Sequence, residues 1–180
     1  LAYTGMRRGE ALALTWEDVD FKANQIEISK NLTLGIDYVP IIQEAKTESG
    51  KRIIDIDIET INILKDWKTA QKNELKALGH GLKMRGQLIF NAPRSNGTLS
   101  LPQAGHRLDA LYKKHDIKRI TPHGFRHTHC SILFEAGATI PQVQKRLGHK
   151  DIRTTMNIYN HVTRKKQQET VEIFTNYMSM

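Results

Sequence analysis

Apolar residues recur along this chain with two different periods, and the changes of period divide it into elements. In "MRRGEALAL" the apolar positions Met6, Ala11, Leu12 and Leu14 follow a helical spacing. Thr15, with Asp18 three residues on, makes an imperfect capping box and predicts a short turn of helix. "QIEISK" then alternates apolar and polar residues, the pattern of a strand. "DYVPII" and "KRIIDIDI" predict two more strands, and the polar "QEAKTESGK" between them predicts a turn containing Gly50. Together they predict a small antiparallel sheet inserted in a helical protein.

From Glu59 the period is helical again. Ile61, Leu64, Trp67 and Leu75 share a face, with Lys65, Lys68 and Lys72 outside it. "GHGLKMRGQ" and "PRSNGT" predict loops around a short buried segment, "LIFNA". "LPQAGHRLDALYKKH" reads as a helix with proline in its first turn, and "THCSILFEAGA" as a buried helix stopped at Gly137. "PQVQKRLG" is a short helix between Pro141 and Gly148. "DIRTTMNIY" predicts another short helix, capped by Asp151, and "RKKQQETVEIFTNYM" a separate, mostly polar last helix. The chain has no repeats and no low-complexity tract. The expected fold class is mainly α with a small antiparallel three-stranded β-sheet (α+β), in one domain.

Composition adds a bias toward an anionic partner. Lys and Arg number 27 against 19 Asp and Glu, a formal net charge of +8 over 180 residues. The single cysteine, Cys130, excludes an internal disulfide; beside an apolar run it reads as a small buried hydrophobe in a cytoplasmic protein. No apolar stretch is long enough to span a membrane, and no signal peptide is visible. "LAYTG" reads as the end of a helix already under way, so residues 1–180 are expected to be a fragment that lacks an N-terminal part.

The chemistry is concentrated in "TPHGFRHTH", which holds three histidines and an arginine in nine positions. His123 and His127 stand one helical turn apart, a spacing that zinc can use, but Arg126 would set a fixed positive charge beside the cation. The phosphate reading is stronger. His123 and Arg126 share a helical face, Arg offers a planar fork to two oxygens, and Pro122 and Gly124 put the pair at a helix start. Elsewhere "LGHKD" sets His149 past a helix stop, and "TTMNIYNHV" offers Tyr159 at the end of a short helix. "TGMRRGE" sets Arg7 and Glu10 on an otherwise apolar helix, where each costs free energy unless paired or bound to a ligand. "AKTESGKR" puts Lys46 at a turn between strands. Taken singly, each of these is an ordinary surface charge or a capped core residue; the set of five in this order is not.

That set resembles the tyrosine recombinase family, the phage and transposon integrases, over essentially the whole chain. "TGMRRGEALALTWEDVDF" resembles the family's first arginine segment, with Arg7, directly after "TGM", as the catalytic arginine and Glu10 as the acidic residue supporting it. "KTESGKRIIDI" resembles its hairpin segment, giving Lys46. "HGFRHTH" is similar to its H-x-x-R motif, giving His123 and Arg126. "LGHKDIRTTMNIYNHV" is similar to its last segment, giving His149 and the nucleophile Tyr159.

The resemblance implies a catalytic domain of the tyrosine recombinase and type IB topoisomerase fold, without its N-terminal core-binding or arm-binding domain. It implies double-stranded DNA as substrate, a 3′-phosphotyrosine intermediate, and no metal, ATP or other cofactor. It further implies other protomers of the same protein, a tetramer on DNA joined through the C-terminal helix, with Ile173 and Phe174 as docking residues. An accessory DNA-bending or excision factor, and a DNA-associated place in a bacterial or phage-infected cytoplasm, belong to the same expectation. Within the site, Arg7 and Arg126 would neutralise the transition state, His149 would donate to the same oxygens, Lys46 would protonate the leaving 5′ oxygen, and His123 would accept or position the Tyr159 proton. His127 and His129 are expected to be structural, one packed and one exposed. Two rivals are a type IB topoisomerase-like relaxing activity and a non-catalytic helix-turn-helix module built on "PQVQKRLGHKDIRTT"; the module leaves Arg7, Lys46 and Tyr159 unexplained.

Overall fold

The computed structural model describes residues 1–45 and 50–178, with backbone alone at 104, 164–173 and 176. The fold is mainly helical, with small antiparallel sheets. Helix α1 (Arg8–Ala13) is followed by a single 3-10 turn, Trp16–Asp18. Asp18 accepts from both the backbone N and the hydroxyl of Thr15, so the predicted capping box forms. Five strands follow: β1 (Val19–Asp20), β2 (Gln25–Ile28), β3 (Lys30–Leu34), β4 (Pro40–Glu44) and β5 (Arg52–Asp55). Helix α2 (Ile58–Ala77) leads to a short hairpin, β6 (Asn91–Ala92) and β7 (Gly97–Thr98). The remainder is helical: α3 (Leu101–His115), α4 (Pro122–Glu135), α5 (Ile140–Leu147) and α6 (Ile152–Met178).

The three-stranded sheet has the order β1-β2-β5, all antiparallel. Its membership differs from the expected one. The strand in "DYVPII" begins only at Pro40, because Asp37 and Tyr38 both take positive φ in a turn. It then pairs with β3, not with the sheet, in register Lys30↔Glu44 to Leu34↔Pro40. Residue spacing accounts for this: β2 and β3 are separated by Ser29 alone, so one nearly continuous strand pairs first with β5 and then with β4. The tip of the β3–β4 ribbon is Gly35–Val39, where Gly35 N donates to the Val39 carbonyl.

The largest apolar cluster joins Met6, Leu14 and Trp16 to Ile26, Ile28, Ile54 and Ile61. Gln71, on the buried face of α2, binds Trp16 Nε1 and donates to the carbonyls of Leu88 and Ile89 and to Asn91, so this core is closed by a satisfied polar network. A second cluster packs Cys130 and Phe134 of α4 against Val143 and Leu147 of α5 and Val162 of α6. Cys130 is fully buried, and burial pushes its thiol up to about 11, which fits an unreactive hydrophobe. Helix α1 lies against β3 so closely that a Cβ on Gly9 would strike Asn31 and the Leu32 carbonyl.

One further expectation is corrected. The two helices foreseen on either side of Tyr159 are one, α6, of 27 residues. No glycine or proline interrupts the chain between Ile152 and Met178, so the backbone has no stop signal there. Tyr159 is mid-helix, not at a helix end.

Candidate anion-binding site

The site is organised by the C-terminal end of α5. Gly148 takes left-handed φ, +66°, and ends the helix; its N–H closes on the Gln144 and Lys145 carbonyls, and those of Arg146, Leu147 and Gly148 lie beyond the backbone ladder. Three arginines from three other elements supply their partners. Arg52, at the start of β5, donates from Nε to the Arg146 carbonyl at 2.8 Å. Arg126 of α4 donates to the Leu147 carbonyl at 2.7 Å. Arg7, just before α1, donates to the Gly148 carbonyl at 3.0 Å. The partial negative charge at a helix C-terminus favours cations, and here it gathers three.

Among the described residues a single buried carboxylate offsets them. Glu10 forms ion pairs with Arg7 at 2.7 Å and with Arg52 at 2.8 Å, and it accepts from the Arg7 backbone N. Burial alone would raise the Glu10 carboxyl. The hydrogen bonds and charge of Arg52, then those of Arg7, outweigh it and leave the pKa below the ordinary value. Among the described residues the hydrogen-bond partners of Arg126 are the carbonyls of Gly5 and Leu147, with no carboxylate. It is 3% exposed, and its pKa is lowered to about 10, first by burial and then by Arg7. Arg7, whose side chain is 43% exposed, opens this group to solvent. Among the described residues three guanidiniums thus face one carboxylate, a local excess of two positive charges.

The histidines divide by environment. His149 follows Gly148, and its Nδ1 lies 2.8 Å from the hydroxyl of Thr155 on α6. Its pKa falls to about 4, through burial first and then the charges of Arg126 and Arg7, so the ring is neutral at pH 7. His123 is exposed in the first turn of α4, whose N-cap Thr121 accepts from Gly124 N. It lines a groove with Arg7, Arg8, Thr121 and Arg126. His129 is buried; its Nδ1 donates to the Ala2 carbonyl, and its Nε2 accepts from Arg146 Nε. Those two bonds fix a neutral tautomer, in keeping with a pKa lowered by burial and by Arg146. His127 is exposed.

The structure therefore brings together Arg7, Glu10, His123, Arg126 and His149. Tyr159 lies elsewhere: its ring meets Phe134 edge-on at 5.1 Å and lines a separate depression with Thr139, Ile140 and Pro141. Lys46 lies outside the described residues. Lys51, near it in sequence, lines the depression that holds His149, Arg52 and Gly148. Phe174 is exposed, and the side chain of Ile173 is outside the described set.

Arg52 is the site residue missed in the sequence. The signal was present: period-two alternation puts Arg52 on the same face as the buried Ile54 and Ile56, and an arginine on an inward face demands a carboxylate or carbonyl partner.

A helical domain with small antiparallel sheets and this arginine-histidine centre has the tyrosine recombinase catalytic fold. The family model described as "Phage integrase family" matches residues 1–166, and the chain belongs to that family. Among known relatives, the ICEBs1 integrase of Bacillus subtilis (strain 168) is 29% identical over 171 residues, covering 94% of this chain and 45% of the relative. The integrase of Staphylococcus phage L54a is 33% identical, covering 93% of this chain and 48% of the relative. The chain spans about half the length of these relatives. The Tn1549 transposon integrase, solved in complex with a circular intermediate DNA, superposes with a TM-score of 0.75 at 26% identity, covering 94% of this chain and 56% of that one.

Proposed function

We propose that residues 1–180 are the catalytic domain of a site-specific DNA recombinase that cuts and rejoins strands through a 3′-phosphotyrosine intermediate. The observation that carries this reading is the excess of guanidinium charge at the end of α5. Two of its three arginines are buried, and among the described residues one carboxylate, Glu10, pairs with the group. Such a cluster is suited to an anion held at a fixed place, and a phosphodiester fits it. The family relationship and the net charge of +8 favour DNA as the source of that phosphate.

In the proposed reaction the Tyr159 oxygen attacks phosphorus and the bond to the 5′ oxygen breaks. Arg7 and Arg126 meet the charge on the non-bridging oxygens. Neutral His149 donates to the same oxygens. Lys46 delivers a proton to the leaving 5′ oxygen, and His123 receives or positions the tyrosine proton. A 5′-hydroxyl from a partner duplex then reverses the step. Glu10 and Arg52 hold Arg7. Tyr159 must leave its packing on Phe134 to reach a phosphate beside Arg7, so the reading includes a movement of α6. Further protomers, docked through the C-terminal part of α6, and an accessory DNA-bending or excision factor complete the proposed assembly.

The test is incubation with duplex DNA in excess chelator, followed by denaturation. A protease-sensitive covalent protein–DNA adduct is expected, with strand exchange when two sites are supplied. Binding without an adduct would reduce the chain to a binding module, and relaxation of supercoils without exchange would make it topoisomerase-like.

A further inference from the structure

Thr155 is a fully buried polar residue on α6, and its hydroxyl lies 2.8 Å from His149 Nδ1. Other threonines in the middle of helices return their proton to the backbone: Thr163 to the Tyr159 carbonyl at 3.0 Å and Thr69 to the Lys65 carbonyl at 3.2 Å. Thr155 makes no such bond, and among the described residues His149 is the only partner of its hydroxyl. A buried hydroxyl proton requires an acceptor, and His149 Nδ1 lies at hydrogen-bond distance to take it. If Nδ1 carried a proton and donated to Thr155, the threonine proton would be stranded. The accounting closes only when Thr155 donates and Nδ1 accepts.

We propose that Thr155 is a positioning residue that keeps the single proton of neutral His149 on Nε2. Resting on the strand-cleavage reading above, this makes His149 an N–H donor to a phosphate oxygen. The opposite tautomer would turn a lone pair toward the anion. The groups facing this ring are cationic or neutral: Arg126, Arg7, Arg52 and His123. The three arginines offer no acceptor, and among the described residues the hydrogen bond that His149 Nδ1 makes is to Thr155. The role therefore falls to the Thr155 hydroxyl, in the first turn of α6, so the movement that brings Tyr159 to the phosphate is placed beyond Thr155 along that helix.

The experiment combines nitrogen-15 NMR of the histidine rings with the adduct assay on the same chain. In the wild type, His149 is expected to show a protonated Nε2 and a bare, hydrogen-bonded Nδ1. T155S should keep both this signature and activity. T155V, close in shape, should lose the hydrogen-bonded Nδ1 signal and slow cleavage roughly 10- to 100-fold, the range for a displaced positioning contact. A protonated Nδ1 in the wild type would overturn the proposal, as would T155V with wild-type cleavage. If the wild type formed no adduct, the strand-cleavage reading would fall while the ring nitrogens still decided the tautomer.

Discussion

Arg7 and Arg126 donate to adjacent carbonyls, those of Gly148 and Leu147, from elements more than a hundred residues apart in sequence. Two guanidiniums this close repel, and the repulsion is visible in Arg126, whose pKa drops to about 10 through burial and then through Arg7. The end of α5 holds them in place against it. An anion bound between them would remove that repulsion as well as gain two charge-assisted contacts.

The first prediction concerns Arg126. R126A leaves the buried carbonyls of Gly5 and Leu147 without their donor, at about 1–3 kcal/mol each. R126K keeps the charge, but a single ammonium cannot reproduce a fork that spans both carbonyls. Both variants should melt at lower temperature than the wild type, and both should form the DNA adduct at least about 100-fold more slowly. A lysine variant with unchanged melting and unchanged cleavage would show that charge alone suffices.

The second prediction is a loss of stability on the acid side. His149 and His129 have folded pKa values below the ordinary 6.5, so the unfolded chain binds more protons as pH falls below that value. Their contribution is complete above pH 6.5; for His149 it drains away as pH falls toward about 4. Glu10, also depressed, adds a further loss as pH falls through and below 4.5. Thermal melting should therefore fall as pH drops below 6.5. H149Q should flatten the part of the curve between 6.5 and 4, and E10Q the part below it.

These residues also show what could be read from the chain. His123 and Arg126 were legible because they sit three apart at a proline-marked helix start. Arg7 and Glu10 were legible because charges on an apolar helix need partners. The partners themselves were not. Period reveals which face of an element is inward, but not which element lies opposite, so Arg52 passed as one more cation in a strand. The same limit hid the exchange of strands in the sheet, where a single residue, Ser29, separates two pairings. Nor does helical periodicity tell which groove a side chain on α6 enters, and Tyr159 was expected beside the arginines it does not line.

The third prediction separates the nucleophile from its packing. Y159F keeps the ring that meets Phe134 edge-on and removes only the hydroxyl. DNA affinity and melting temperature should be near wild type, while the covalent adduct disappears. Tyr177 is exposed on the same helix and is the control. Y177F should form the adduct normally. An adduct that persists in Y159F and vanishes in Y177F would move the nucleophile to Tyr177.

The last prediction assigns the proton that the leaving oxygen needs. Lys46 and Lys51 stand five residues apart in sequence, and Lys51 lines the depression of His149 while pairing loosely with Glu44 at 3.6 Å. Either ammonium has the chemistry of a general acid, and the two are distinguished by the leaving group. A substrate with sulfur at the bridging 5′ position departs without protonation. If Lys46 is the acid, K46A should be slow on ordinary DNA by roughly 100- to 10,000-fold, the usual worth of such catalysis, and near wild type on the sulfur substrate. K51A should cleave both substrates at close to the wild-type rate. R126A should remain slow on both, because the charge it meets is on the non-bridging oxygens, which sulfur does not alter. Rescue of K51A in place of K46A would transfer the role to Lys51, and rescue of neither lysine variant would exclude both as the acid.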